Sequence, residues 1–174
     1  MRTKILALFI TALLAVNIQT EAQESTTVLL DKAKVKAKKE GKAIFIKFEA
    51  SWCGWCHRMT KNMKAESTKK FFEDNFVSVP VVVFESPKNK KLENPGSEDL
   101  VKKYKGEKAG LPFWVILDSD LNLITDSFDS RGQNLGCPAS KEEVKAFIKK
   151  LKKVVPEFTK DDATMISKQF ILKK

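Results

Sequence analysis

The residues best suited to chemistry lie together in Trp52-Cys53-Gly54-Trp55-Cys56-His57. Two cysteines separated by two residues can close a small disulfide ring, bind a metal through their thiolates, or accept haem when the next residue is His, as here. These chemistries ask for different surroundings. Disulfide exchange needs one readily ionised thiol and a second thiol close enough to resolve the mixed disulfide. A zinc site needs further ligands to complete a tetrahedron. Haem needs a second axial ligand opposite His57, for which Met59, Met63 and Met165 are the candidates.

The flanking pattern weighs these alternatives. Residues 43–49, Ala-Ile-Phe-Ile-Lys-Phe-Glu, are apolar on both faces, as in a strand buried on two sides. A helix is expected from about 54 to 63, with Met59 and Met63 on one face as core residues. Cys53 then falls at the start of that helix, where unpaired N–H groups and the helix dipole favour a thiolate. Cys56, about one turn on, is placed to attack a mixed disulfide at Cys53. Gly54 lets a partner chain come close, and Trp52 and Trp55 flank the pair with apolar surface. His57 reads as an exposed or half-exposed helix residue; its functional alternative is an imidazolium that supports the Cys53 thiolate. Zinc is disfavoured because one Cys pair and one adjacent His make a single half-site. Haem is disfavoured because the motif follows a buried strand, whereas small c-type cytochromes are mostly helical.

Elsewhere the chain alternates helix and strand signals. Helices are expected at 27–39, ended by Gly41, at 67–75 with Phe71 and Phe72, at 97–105 capped by Ser97, and at 141–154. The last carries a capping box, Ser140 with Glu143. Strands are expected at 76–84, 113–117 and 123–128, the last two joined by a hairpin-like turn, Asp118-Ser119-Asp120. Pro80 makes the second strand an edge or bulged strand, and 85–96 reads as a polar loop. The tail is expected to add a short helix with Met165, Ile166 and Phe170 on one side. The order implies an α/β domain, a central mixed sheet of about four strands with helices on both faces.

Residues 1–22 stand outside that argument. Arg2 and Lys4 precede an apolar run of about a dozen residues, and Thr20-Glu21-Ala22 offers a small-residue cleavage site, the pattern of an export signal. The run is short for a membrane span of ~20 residues. The expectation is a cleaved signal peptide, 1–22, and a single domain over 23–174, with its core at about 27–154 and an extension at 155–174. The product would be periplasmic or secreted, where disulfides persist. Three cysteines are too few to staple a chain of 174 residues, so they point to chemistry rather than framework. Cys137, the odd thiol, reads as buried and inert, with a trapping or regulatory role as its alternative. The net charge is +10, yet the lysines are spread along helices and tail without interleaved aromatics, so no nucleic-acid partner is expected.

The stretch Phe48-Glu49-Ala50-Ser51-Trp52-Cys53-Gly54-Trp55-Cys56, with Tyr104 and then Gly110-Leu111-Pro112 before the third strand, resembles the thioredoxin superfamily over about 27–154. Lys38-Lys39-Glu40-Gly41-Lys42 is similar to the exported, thioredoxin-like subgroup. The resemblance implies a thioredoxin fold and thiol–disulfide exchange without a cofactor, Cys53 being nucleophile and Cys56 resolver. It also implies that Pro112 is cis and faces the cysteines, with the Leu111 backbone binding the client. Disulfide-containing or dithiol proteins would be the clients of a monomer, reduction being favoured over oxidation and recharged by a membrane-bound electron donor. The alternative is a binding or chaperone module with an inert disulfide. Two departures bear on direction. Lys47 stands six positions before Cys53, where thioredoxin has an acid, and Glu49 shares its side of the strand. A buried cation there would lower a thiol pKa and make the disulfide more oxidising. Trp55 replaces thioredoxin's proline, so a strongly reducing potential does not follow.

Overall fold

A computed structural model describes residues 23–172; the expected signal peptide lies outside them. The order is α1 (Thr26–Glu40), β1 (Ala43–Glu49), α2 (Gly54–Met63), α3 (Glu66–Asn75) and β2 (Phe76–Val82). A 3-10 turn (Pro87–Leu92) follows, then α4 (Ser97–Lys103), β3 (Phe113–Leu117), β4 (Leu123–Asp126), α5 (Lys141–Leu151) and α6 (Lys160–Phe170). The four strands form one sheet in the order β2-β1-β3-β4. β1 pairs parallel with β2 and antiparallel with β3, and β3 pairs antiparallel with β4.

β1 is central because its side chains alternate between two cores. Phe45 points with Trp114 and Ile116 into a cluster covered by Met59, Met63, Phe72, Phe147 and Phe170, from α2, α3, α5 and α6. Ile44, Ile46 and Phe48 point with Val115 and Val79 into a second cluster, covered by Ala33 and Ala37 of α1 and Leu100 and Val101 of α4. Helices therefore lie on both faces of the mixed sheet. Pro80 falls in edge strand β2, where a missing N–H is tolerated.

Four local expectations are corrected. The cap of α4 is Gly96, not Ser97: Gly96 adopts φ 83, from which the chain enters the helix, and Ser97 lies within it with no side-chain cap bond. β2 stops at Val82 rather than 84, because Asn94 Oδ1 takes the Val82 N–H and Phe84 turns to φ 58. β4 ends at Asp126, whose carboxylate accepts the Phe128 N–H and turns the chain. α5 stops at Leu151, followed by a tighter turn in which the N–H groups of Lys153 and Val154 donate three residues back. The Ser140–Glu143 capping box is present as read.

In the expected extension beyond residue 154, the short helix forms as α6 and packs its apolar side into the core. Ile166 and Phe170 are fully buried, and the Phe170 ring packs at a tilt against Phe72 and Phe147, with centroids at 6.2 and 5.4 Å. Arg58 of α2 donates to the Phe170 carbonyl at 2.9 Å. Phe170→Ala is expected to cost about 3–5 kcal/mol, measured by urea unfolding; a loss below about 1 kcal/mol would mean that α6 does not belong to the cooperative unit.

Candidate functional site

β1 delivers the chain to the site, and a tight turn hands it to α2. The Cys53 N–H donates to the Ala50 carbonyl at 3.0 Å, and Cys53 then caps α2. Its sulfur accepts the Cys56 N–H at 3.1 Å, so an orphan donor of the helix start is aimed at Sγ. Cys53 and Cys56 are joined in a disulfide, their Cα atoms 5.2 Å apart. Cys56 is fully buried and Cys53 nearly so, whereas Trp52 and Trp55 beside them are 59% and 50% exposed. Gly54 is exposed at the first position of α2, with open space where a Cβ would stand.

The loop before β3 closes the other side. Leu111 packs against Ala50, Cys53 and Cys56, and the Leu111–Pro112 peptide bond is cis. Asn134, a residue that sequence reasoning missed, holds this loop in place. Its amide donates to the carbonyls of Ala109, Gly110 and Pro112 at 3.1, 3.2 and 3.0 Å. Asn134 lies in a segment without regular periodicity, so no pattern marked it.

Beneath the pair lies Lys47, 7% exposed. Its ammonium bonds to Glu49 at 2.6 Å, reaches the Cys56 carbonyl at 3.5 Å and donates to Thr60 Oγ1. Thr60 in turn donates to the same Cys56 carbonyl at 3.1 Å. The cation expected near the thiols is thus present but paired, and its partner is the neighbouring acid of the same strand. His57 is exposed, with Nε2 2.9 Å from the Ser51 carbonyl; since a carbonyl only accepts, Nε2 carries the proton.

Met59 and Met63 are core residues, and Met165 packs at the edge of the same cluster, remote in sequence from His57 and on α6. Cys137 is a buried free thiol, pushed up to about 11 by burial, with Arg58 nearby opposing the rise. Ser51 and Glu85 are two further residues that sequence reasoning missed; they meet at the turn before Cys53.

A family model described as "Thioredoxin-like" matches residues 26–119, which span β1, the cysteine pair, Pro112 and β3. The chain belongs to the thioredoxin-like family. An uncharacterized protein of Caenorhabditis elegans is 38% identical over 109 residues, 59% of this chain and 14% of that one. The thioredoxin-like chain therefore spans about a seventh of the curated relative it matches. Among solved structures, a disulphide isomerase from Xylella fastidiosa Temecula1 superposes with a TM-score of 0.50 at 20% identity, covering 64% of this chain and 80% of that one. The oxidoreductase DsbH is similar at a TM-score of 0.48 and 22% identity, over 78% and 85%. The family match and the isomerase likeness agree on a thioredoxin-like fold, in which this chain carries the Cys53–Cys56 disulfide.

Burial gives Cys137 a clear behaviour. A thiol at about 11 is ionised to roughly one part in ten thousand at pH 7. Iodoacetamide should leave Cys137 unmodified in the native oxidised protein at pH 7, and alkylate it once the chain is unfolded. Mass spectrometry reads this, and rapid native labelling at neutral pH would contradict the burial.

Proposed function

We propose that the protein is an exported thiol–disulfide oxidoreductase that reduces disulfides in client proteins through Cys53 and Cys56. The observation that carries this reading is the placing of Cys53: a sulfur at a helix start, receiving the Cys56 N–H, next to the Leu111–Pro112 loop. Donors aimed at that sulfur stabilise its ionised form. The exposed indoles of Trp52 and Trp55 supply apolar surface for a client chain, and the backbone at Leu111 is the client-binding edge.

In the reductive direction, the Cys53 thiolate attacks one sulfur of a client disulfide. A Cys53–client disulfide forms, and the other client sulfur leaves as a thiolate. Cys56 then gives up its proton and attacks Cys53 Sγ, closing the Cys53–Cys56 disulfide and releasing the second client thiolate. Two electrons pass to the client, whose sulfurs take up two protons. The oxidised protein is recharged by a dithiol donor, which for an exported chain is a membrane-bound one. Lys47 and Glu49 adjust the ionisation of Cys56 from below: the cation favours its thiolate and the carboxylate opposes it. The balance between them sets which direction of exchange prevails.

The reduced protein is expected to reduce insulin with dithiothreitol as donor. Cys53→Ser should abolish this, and Cys56→Ser should accumulate a mixed disulfide with the client. Insulin reduction by the wild type no faster than with dithiothreitol alone would instead favour a binding module with an inert disulfide. Lys47→Met is expected to raise, and Glu49→Gln to lower, the thiol pKa by up to ~1 unit. A lower thiol pKa stabilises the reduced form, so Lys47→Met should be the more reducing variant. One tenfold change in the exchange constant corresponds to about 30 mV, readable against glutathione. Equal potentials in both variants and the wild type would remove the Lys47–Glu49 pair from the reaction.

A further inference from the structure

The turn that presents Cys53 is held from outside by the segment after β2. Glu85 is 6% exposed, and both oxygens of its carboxylate serve one residue: Oε1 accepts the Ser51 N–H and Oε2 accepts Ser51 Oγ–H at 2.8 Å. Asn89 of the same segment donates to Ser51 Oγ at 3.3 Å, and the Trp52 indole N–H donates to the Phe84 carbonyl at 2.9 Å. The segment is itself braced. The Glu93 carboxylate accepts the Glu85 N–H at 2.7 Å, and Phe84 sits at φ 58, a backbone that a bulky residue keeps only under constraint. A structural cap on β2 would not need to direct a buried carboxylate at the residue two positions before the nucleophile.

We propose that Glu85 is a positioning residue for exchange at Cys53: it locks Ser51 and Trp52 in place, and its fixed charge opposes ionisation of the Cys53 thiol. Two residues span at most about 7 Å, so a carboxylate bonded to Ser51 stands on the order of 10 Å from Sγ. At that range, in a partly buried site, one charge still shifts a neighbouring ionisation. The other titratable and charged groups at this end are His57 on the Ser51 carbonyl, the Lys47–Glu49 pair under Cys56, Arg58 over the Trp55 ring at 5.9 Å, and Lys88, Lys90 and Lys91 of the 3-10 turn. Lys90 is already engaged by Glu93 and Glu98, at 3.0 and 2.7 Å. No cation bonds to the Glu85 carboxylate among the described residues, so its charge is left to act on the turn. The helix start pulls Cys53 toward the thiolate and Glu85 pulls it back, which keeps the nucleophile basic enough to attack.

The inference rests on Cys53 being the nucleophile, and its test reads Cys53 without a client. In a Cys56→Ser background, the pH dependence of iodoacetamide alkylation gives the Cys53 pKa, since Cys137 at about 11 stays silent. Glu85→Gln keeps an acceptor for the Ser51 N–H and removes the charge; Glu85→Ala removes both. Both variants are expected to lower the Cys53 pKa by ~0.5–1 unit, while Glu107→Gln, an exposed neutralisation elsewhere, leaves it unchanged. With Cys56 restored, Glu85→Ala should also lose about tenfold in kcat/KM for insulin reduction, and Glu85→Gln should retain it within about threefold. A Cys53 pKa in Glu85→Gln equal to that of the parent, or matched by Glu107→Gln, would overturn the proposal. If Glu85→Ala does not fold, the Gln variant carries the test alone. Failure of insulin reduction in the wild type would refute the proposed function and leave the Cys53 titration to be read by itself.

Discussion

A charged residue in the middle of a strand buried on both faces has to be satisfied where it lies, and Lys47 meets that constraint at the centre of this structure. Leaving an ammonium there without partners would cost several kcal/mol. Its needs are met by Glu49 of the same strand, by Thr60, and by the carbonyl of Cys56. The bonds to Thr60 and Cys56 tie the sheet to the first turns of α2, while Glu49 neutralises the cation from within the strand. The position of the cysteine pair over β1 and the neutrality of the ground beneath it are therefore one arrangement. The cation also reaches the backbone carbonyl of Cys56, so it belongs to the immediate surroundings of that residue.

Regular elements supply the scaffold, while irregular ones supply the precision. β1 and α2 bring Cys53 and Cys56 together, and β3 begins just beyond Pro112. What holds those parts in register comes from loops: Asn134 gathers three carbonyls of the Leu111–Pro112 loop, and Ser51 is gripped from the segment after β2. Loops positioned by a rigid frame commonly carry function. Here they also carry the hydrogen bonds that keep the frame's chemistry aligned, since amide and carboxylate side chains can serve backbone groups that no strand partner reaches.

The layout was legible in the sequence because hydrophobic periodicity reports burial directly. The two-faced apolar run at β1, the valine-rich β2 broken by Pro80 and the Ser140–Glu143 box each correspond to a single local cause. The cysteine pair at a strand–helix seam was legible for the same reason. Boundaries were less so, because Gly96, Asn94 and Asp126 end or begin elements through backbone conformation or side-chain bonds that no period encodes. Glu85 and Asn134 were illegible for a different reason: each acts on residues 22 or more positions away in the chain, and polar residues in loops look alike until the fold brings them to a partner. Lys47 was visible as an oddity; Glu49, on its side of the strand, was open either as its partner or as a replacement for the missing acid, and the structure pairs the two.

Pro80 has a consequence beyond closing one strand assignment. The sheet has two outer edges, β2 and β4. β4 is four residues long and ends where Asp126 turns the chain. β2 is longer and richer in valine, the more inviting template for another extended chain. With proline at its fifth position, opposite Lys47, an incoming strand meets a gap in the ladder and a ring where a donor should be. An extended segment of another chain is thereby turned away from this flank of the sheet.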